Sequence, residues 1–539
     1  MSGLNGELVN VAAFLEERAK AQSLETALIV PGARDPERAR LRLTYRELAE
    51  VVAGYRARFA AAGIGRGTRT LVMVKMGLPL VGVNFALLGM GAIPVIIDPG
   101  MGLKGFLSCV GRTAPEALVG IPLAHYLATV FRGPFSTAKV RVRINSETGA
   151  DLHQKQASDP GLAEIGKEDS AAVLFTSGST GPAKGVVYTH GMFHAQVGMI
   201  RETFQIESGE IDFPMLPIFS LFAPALGMAT VIPPMNPSRP AKANPAKVYA
   251  AMRGWKVTNS FGSPVLWGNL LRHCEATGGT LPDLRRILIA GAPVGATVLE
   301  GLQRVAPRAQ IHTPYGATEC LPVTTIEVQE ILQSTAEETA KGAGTCVGRP
   351  VAGVSVKIVQ SGLGPRQEGG VPEALPKGER GEIIATGPTV TRAYDQLPKA
   401  TEAAKFFDGE TVWHRMGDIG YLDGVGRLWF CGRAAERVRM ASGVVLDTDC
   451  VEAVVNRVEG VYRSALIPWG EGGAAMVLEL KKKSGVRKKA VKSQVKAVLE
   501  RSSETAGIET ILVADAFPVD VRHNAKINRG ELAKRFFKG

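Results

Sequence analysis

A chain of 539 residues is too long for one hydrophobic core and should divide into a large part and one or more small ones. It is 45% hydrophobic and 21% charged, the composition of a soluble globular protein, and carries a net charge of +12. Its six cysteines (109, 274, 320, 346, 431 and 450) are scattered without a C-x-x-C pair, which argues against a disulfide framework or a zinc site and for a reducing, cytoplasmic home.

The first twenty-two residues lack a secretory apolar region. Thr44 and Glu47 form the ends of a capping box, and Leu48, Val52, Tyr55 and Phe59 then share one helical stripe that stops before Gly63. A strand follows at residues 71–74. The apolar run 78–98 is broken by Pro79, Gly82, Asn84, Gly89, Gly91 and Pro94, so it reads as a buried helix and a buried strand and not as a membrane span. Strands alternating with helices predict a parallel sheet covered on both faces, hence an α/β fold.

Between the apolar runs 171–175 and 186–188 lies Thr176-Ser177-Gly178-Ser179-Thr180-Gly181-Pro182-Ala183-Lys184-Gly185. Three glycines, four hydroxyls and one lysine, with no acid, suit a loop whose backbone N–H groups line an anion-binding hollow. Phosphate is the natural guest. A Walker A loop is excluded: Ala183 stands where its second glycine belongs, Gly185 where its hydroxyl belongs, and a strand follows in place of a helix. A flexible surface linker accounts for the glycines but not for a lysine between two buried strands.

Residues 175–185 resemble the signature loop of the adenylate-forming enzymes, the family of acyl-CoA synthetases, peptide-synthetase adenylation domains and luciferases. The proline comes one place early, at 182, and Lys184 keeps its register. Further stretches match the family in order. Phe219 and Phe222, in an aromatic and proline-rich segment, correspond to a wall of the acyl pocket, with Ser220 where a histidine is usual. Gly291, Ala292 and Pro293 end a buried strand, where small residues let a flat base lie against the backbone. Tyr315-Gly316-Ala317-Thr318-Glu319 adds a tyrosine to stack on adenine and a carboxylate for Mg²⁺. Asp418 matches the carboxylate that takes the ribose hydroxyls, and Arg433 a ribose or phosphate contact.

The family's hinge residue falls at Ala435, with Glu436 beside it, so the hinge either sits one residue along or uses different dihedrals. Lys526-Ile527 matches the closing motif, with Ala525 in place of glycine; such a lysine stabilises charge that grows as pyrophosphate leaves. The resemblance covers about residues 44–529. It implies a large multi-sheet N-terminal α/β domain, residues 1–432, that binds ATP and acid, and a small mobile C-terminal α+β lid, residues 433–539. The catalytic set it implies is Lys526, Lys184, Thr176 and Glu319, and the ATP contacts add Ser177, Gly178, Ser179, Thr180, Gly181, Gly316 and Thr318. Isolated histidines such as 190, 194 and 414 are read as structural.

Residues 212–214, 222–227, 315–323, 342–348 and 520–527 are similar to one branch, the olefin β-lactone synthetases of bacterial long-chain olefin biosynthesis. That likeness implies ATP- and Mg²⁺-dependent adenylation of a 2-alkyl-3-hydroxy fatty acid, then closure by its own hydroxyl to a β-lactone without CoA. It implies a thiolase, a reductase and a hydrolase as pathway partners. An acyl-CoA ligase, which requires CoA, is the alternative; an inactive acyl- or nucleotide-binding homologue is a third reading, opposed by the retained Thr176, Lys184, Glu319, Asp418, Arg433 and Lys526. The basic run 481–496 holds eight Lys/Arg but no interleaved aromatics, so it reads as the solvated face of a helix and not as a nucleic-acid site.

Overall fold

Short β-branched runs alternating with amphipathic helices build two largely parallel sheets, as a chain of βαβ units must. The computed structural model describes residues 8–145, 158–176, 183–237, 239–364, 370–481, 486–519 and 526–537. One six-stranded sheet runs in the order Val140–Arg143, Ala117–Gly120, Arg69–Met73, Ile93–Ile97, Ser170–Thr176, Lys184–Thr189. All its pairs are parallel except the last, the antiparallel pair on either side of the glycine-rich stretch, in which Thr176 pairs with Lys184. A seven-stranded sheet runs Gln310–His312, Arg286–Ile289, Asn259–Gly262, Ile211–Asp212, Ala229–Val231, Thr26–Pro31, Ala39–Thr44, antiparallel only at its last pair.

The helix Tyr45–Ala61 shows why the sequence pattern works. Thr44 accepts from the Glu47 backbone N–H while the Glu47 carboxylate accepts from Thr44 N–H, a closed capping box. Leu48, Val52, Tyr55 and Phe59 are all buried on the expected stripe. Burying each such side chain contributes about 2 kcal/mol. The apolar helix Leu78–Gly89 packs directly against it, and a Cβ at Gly82 would stand 2.8 Å from the Tyr55 ring, so that approach requires glycine.

A third, antiparallel sheet follows, ordered Tyr315–Ala317, Cys320–Thr325, Thr345–Pro350, Leu428–Arg433, Thr411–Leu422, Gly381–Thr386, Ser355–Val359, with Lys405–Asp408 paired to Thr411–Leu422. After the short 3-10 turn Ala434–Glu436 the chain builds cores of its own. The strands Val461–Trp469, Gly473–Leu480 and Thr510–Ala514 form a three-stranded sheet against which the helices Thr448–Val455 and Lys488–Leu499 bury Val451, Val455, Val491, Val495 and Leu499. In the basic stretch Lys488, Lys489 and Lys496 are exposed while Val491 and Val495 are buried, the solvated helix face that its spacing predicted. The architecture is the mixed α/β arrangement expected, with a large multi-sheet part and a smaller C-terminal sheet. Among the described residues no helix is long and apolar enough to cross a membrane.

Candidate active site

A cavity of about 1460 Å³ lies where the carboxyl ends of the two parallel sheets face the antiparallel sheet and the C-terminal part. Its lining includes Gly291, Ala292, Pro293, Tyr315, Gly316, Thr318, Asp418, Arg433 and Lys526, so residues spread over more than two hundred positions meet in one space. Gly291 follows the strand Arg286–Ile289 with φ +100°, a left-handed turn that brings Ala292 and Pro293 to the wall.

Asp418 is the centre of the polar end. It lies in the long strand Thr411–Leu422, whose pairing with Leu428–Arg433 sets it opposite Arg433. The Tyr315 hydroxyl donates to its Oδ2 at 2.6 Å. Arg433 Nη1 stands 2.9 Å from Oδ1 as an ion pair, and among the described residues this buried oxygen has no further hydrogen-bond partner. Burial raises the Asp418 pKa, against the opposing pull of Arg433, Tyr315 and the nearby positive charge of Lys526. Burial and the Asp418 charge hold the Tyr315 phenol well above its usual range, so it stays a donor. A buried carboxylate oxygen held only by its ion pair, beside a tyrosine ring and small-residue backbone, fits a ribose hydroxyl and its base.

Lys184 and Glu319 stand outside this lining and meet at Tyr394. The Lys184 ammonium lies 4.7 Å from the ring centroid, and the phenol donates to Glu319 Oε1 at 2.7 Å. Burial and the Glu319 carboxylate push the Tyr394 phenol up, so its proton stays in that bond. Glu319 Oε2 takes no hydrogen bond from any described residue and can serve a cation; the rest of an Mg²⁺ shell must come from phosphate oxygens and water. Behind them sits Lys405, 2% exposed, whose Nζ donates to Thr391 Oγ1 at 3.3 Å. Burial lowers its pKa to about 8, with Lys184 adding to the fall and Glu319 opposing it.

The backbone under this group is fixed from several sides. Asp395 N–H donates to Gly185 O at 2.7 Å, and its carboxylate accepts from Arg69 Nη2 at 2.7 Å and from Thr113 Oγ1 at 2.8 Å. Tyr188 donates to Thr318 O, and Gln196 Nε2 to Leu321 O at 2.8 Å. Tyr394, Asp395 and Lys405 were not found in the sequence. Only the lysine opening the apolar run Lys405-Phe406-Phe407 gave a signal, a charge where a strand should begin.

Phe219 and Phe222 both line the cavity at its apolar end, in the turns Pro217–Leu221 and Phe222–Leu226. Phe219 stacks on Phe261 with centroids 3.8 Å apart, and Phe193 meets Phe222 edge-on, two aromatics the sequence did not single out. Ser220 is buried and donates to Pro217 O at 2.6 Å. The backbone of Thr176 ends its strand opposite Lys184; Ser177, Gly178, Ser179, Thr180 and Gly181 lie outside the described residues, as does Ala525. The histidines are occupied structurally: His190 Nδ1 accepts from Val11 N–H at 3.2 Å and burial lowers its pKa to about 4, His194 stacks on Phe14, and His414 contacts Ala404 O.

Lys526 reaches the cavity from the C-terminal part, three residues before Arg529. Arg529 donates to both Glu452 oxygens, at 2.7 and 2.8 Å, and to Glu436 in the connecting turn. The carboxylate next to Ala435 therefore tethers the segment that carries the lysine.

Residues 15–395 match the family model described as AMP-binding enzyme. The chain is 42% identical to an olefin beta-lactone synthetase of Stenotrophomonas maltophilia (strain K279a), covering 97% of each chain. It is 40% identical to one of Xanthomonas campestris pv. campestris, covering 98% of this chain and 97% of the relative. Among solved structures, ATP-bound MatB from Rhodopseudomonas palustris superposes with a TM-score of 0.81 at 19% identity, over 98% of this chain and 99% of that one, a likeness of fold. The chain belongs to the AMP-binding enzyme family and is an AMP-forming ligase of the adenylate-forming fold.

Proposed function

We propose that this enzyme adenylates a 2-alkyl-3-hydroxy fatty acid and then closes the acyl adenylate to a β-lactone, in long-chain olefin biosynthesis. The observation that carries the reading is one continuous cavity joining the Asp418–Tyr315–Arg433 end to the aromatic wall of Phe219, Phe222 and Phe261. A nucleotide and an apolar acid can lie in it end to end. The names of the two relatives above 39% identity point to the same reaction.

In the first step a carboxylate oxygen of the acid attacks the α-phosphorus, and the bond to pyrophosphate breaks. Two anions have to approach, so Lys184, Lys526 and Arg433 act by neutralising charge and positioning. Asp418 orients the ribose, Tyr315 and residues 291–293 hold the base, and the loop from Thr176 to Lys184 cradles phosphate. When bound, Mg²⁺ would be held on the protein side by Glu319 and would supply further charge neutralisation. In the second step the β-hydroxyl oxygen attacks the acyl carbon, the bond to AMP breaks so that AMP leaves with the electron pair, and the hydroxyl proton passes to solvent water. The nucleophile is tethered, and its high effective molarity offsets part of the strain of a four-membered ring.

CoA is not required in this scheme. The part after Arg433 acts as a lid that moves between steps, and a thiolase, a reductase and a hydrolase of a cytoplasmic pathway supply the acid and consume the lactone. Mass analysis of products from a synthetic 2-alkyl-3-hydroxy acid, ATP and Mg²⁺, with and without CoA, tests the reading. A product one water lighter than the acid, formed equally without CoA, is expected. A thioester formed only with CoA makes this an acyl-CoA ligase, and nucleotide binding without pyrophosphate release makes it an inactive homologue.

A further inference from the structure

Two of the six buried cysteines meet across the junction between the large part and the C-terminal part. Cys431 lies in the strand Leu428–Arg433, just before the turn Ala434–Glu436, and Cys450 in the first turn of the helix Thr448–Val455. Their sulfurs and an Asp447 carboxylate oxygen all lie within 4.8 Å of one another. Gly432 makes this approach possible. Its φ is +137°, and a Cβ there would stand 2.5 Å from Thr448 Oγ1 and 3.2 Å from Thr448 N, so the end of the helix is seated on bare backbone. Thr345 fastens the same turn by donating to Asp449 Oδ2 at 2.6 Å.

Two thiols and a carboxylate could serve a metal ion or a disulfide. Asp447 is already committed: Arg437 Nε donates to Oδ1 at 2.7 Å and Arg380 Nη1 to Oδ2 at 3.4 Å. A cation would enter a pocket that already holds two guanidinium charges and would compete with both for its carboxylate ligand. A disulfide is neutral, leaves both Asp447 ion pairs in place and requires the two sulfurs, within 4.8 Å of each other, to close to a bond of about 2 Å.

We propose that Cys431 and Cys450 form a reversible disulfide that fastens the C-terminal part in the orientation turning Lys526 toward Asp418. The Cys450 thiol beside it, and then burial, push the Cys431 thiol up, so it is protonated and unreactive while the helix is seated. Oxidation therefore begins when the helix lifts. Hydrogen peroxide takes one thiol to a sulfenic acid and releases water. On reseating, the second sulfur attacks the first, the S–S bond forms, the S–O bond breaks, and hydroxide leaves with the thiol proton as a second water. The two cysteines together lose two electrons and the peroxide gains them. Transient, sensing disulfides of this kind are the ones a reducing compartment tolerates. The bond spans the connecting turn, so the lid can complete a chemical step in place but cannot swing to release product.

The test uses the full chain treated with hydrogen peroxide. Trypsin without reductant is expected to yield peptide 428–433 joined to peptide 440–457, two hydrogens lighter than their sum. Steady-state pyrophosphate release is expected to fall about tenfold or more while the first-turnover burst persists, as for a lid that gates release, and dithiothreitol to restore it. Cys450→Ser and Cys431→Ala should each show no cross-link and keep their rate after peroxide, so a folding failure in one leaves the other to decide. Recovery of both cysteines as separate thiols or separate oxidised species overturns the proposal. So does equal inactivation of wild type and variants, or stoichiometric zinc held by wild type and lost in both variants. Pyrophosphate is the readout, and the cross-link is seen without substrate, so the lock is tested whatever becomes of the acyl adenylate.

Discussion

Tyr315 and Asp418, 103 residues apart, are joined by a 2.6 Å hydrogen bond from the phenol to the carboxylate, and the other carboxylate oxygen stands 2.9 Å from Arg433 as an ion pair with no hydrogen bond from any described residue. The antiparallel sheet makes this possible, because it carries both residues and turns them to one cavity. Asp418→Asn removes the charge that Arg433 answers and half of the acceptor capacity offered to a ribose. A fall in kcat/KM for ATP of about a hundredfold is expected, the scale of a lost charge-assisted pair. Tyr315→Phe keeps the ring and should cost only a few-fold. ATP–pyrophosphate exchange measures both, and an undiminished Asp418→Asn enzyme would move the nucleotide elsewhere.

Phe219 stacked on Phe261 gives the apolar end a flat aromatic wall. Phe219→Ala should raise KM for a long-chain acid by about tenfold, the value of one to two kcal/mol of lost contact, and leave KM for ATP unchanged. Steady-state kinetics on acids of graded length reads the split. Equal effects on both substrates would point to a collapsed fold in place of a lost acyl contact.

Lys405 is held at about 8 by burial, against the ordinary 10.5. Below pH 8 the folded enzyme carries the cost of a buried charge, and between pH 8 and 10.5 the unfolded chain binds more protons than the folded one, so this lysine's contribution to stability rises with pH. Lys405→Met should therefore stabilise the fold at pH 7, and its advantage should shrink across that window, each unit of displacement being worth about 1.4 kcal/mol. Urea unfolding at pH 7 and at pH 9.5 checks the sign. The same variant should lose activity, since it removes a positive charge from behind Glu319 and Lys184.

Asp449 behaves oppositely. Burial raises its pKa to about 7, with the Thr345 bond opposing and the Glu452 charge assisting. Between about pH 4 and pH 7 the folded state holds a proton that the unfolded state has lost, so seating of the helix Thr448–Val455 weakens as pH rises through this range. Limited proteolysis at the junction 434–447 should accelerate in wild type from pH 5 to pH 7.5. In Asp449→Asn, which stays neutral and can still accept from Thr345, it should not.

Much of the site was legible because local chemistry and spacing agreed. The capping box at Thr44 and Glu47 and the turn at Gly291 each require a particular backbone, and the backbone is as required. Asp418 and Arg433 were picked out by family resemblance alone, and the strand pair that sets them face to face is seen only in the fold. Residues that act through long-range packing left no such trace. Tyr394, Asp395 and Lys405 reach the Glu319–Lys184 corner only through contacts spanning 14 to 326 residues, and apart from the charge that opens the strand at Lys405 nothing local marks them. The Cys431–Cys450 contact was hidden for the same reason: a spacing of nineteen says nothing until Gly432 and Thr448 are seen to touch.

Labelling tests the central claim most directly. A 2-alkyl-3-hydroxy acid with ¹⁸O in both carboxylate positions is incubated with the enzyme, ATP and Mg²⁺, and AMP and product are weighed. Attack by the carboxylate followed by ring closure through the β-hydroxyl predicts one ¹⁸O in AMP and one in the lactone carbonyl. Unlabelled AMP with both ¹⁸O atoms in the product would mean that the hydroxyl and not the carboxylate was activated, and would contradict the adenylation and closure argued from this cavity.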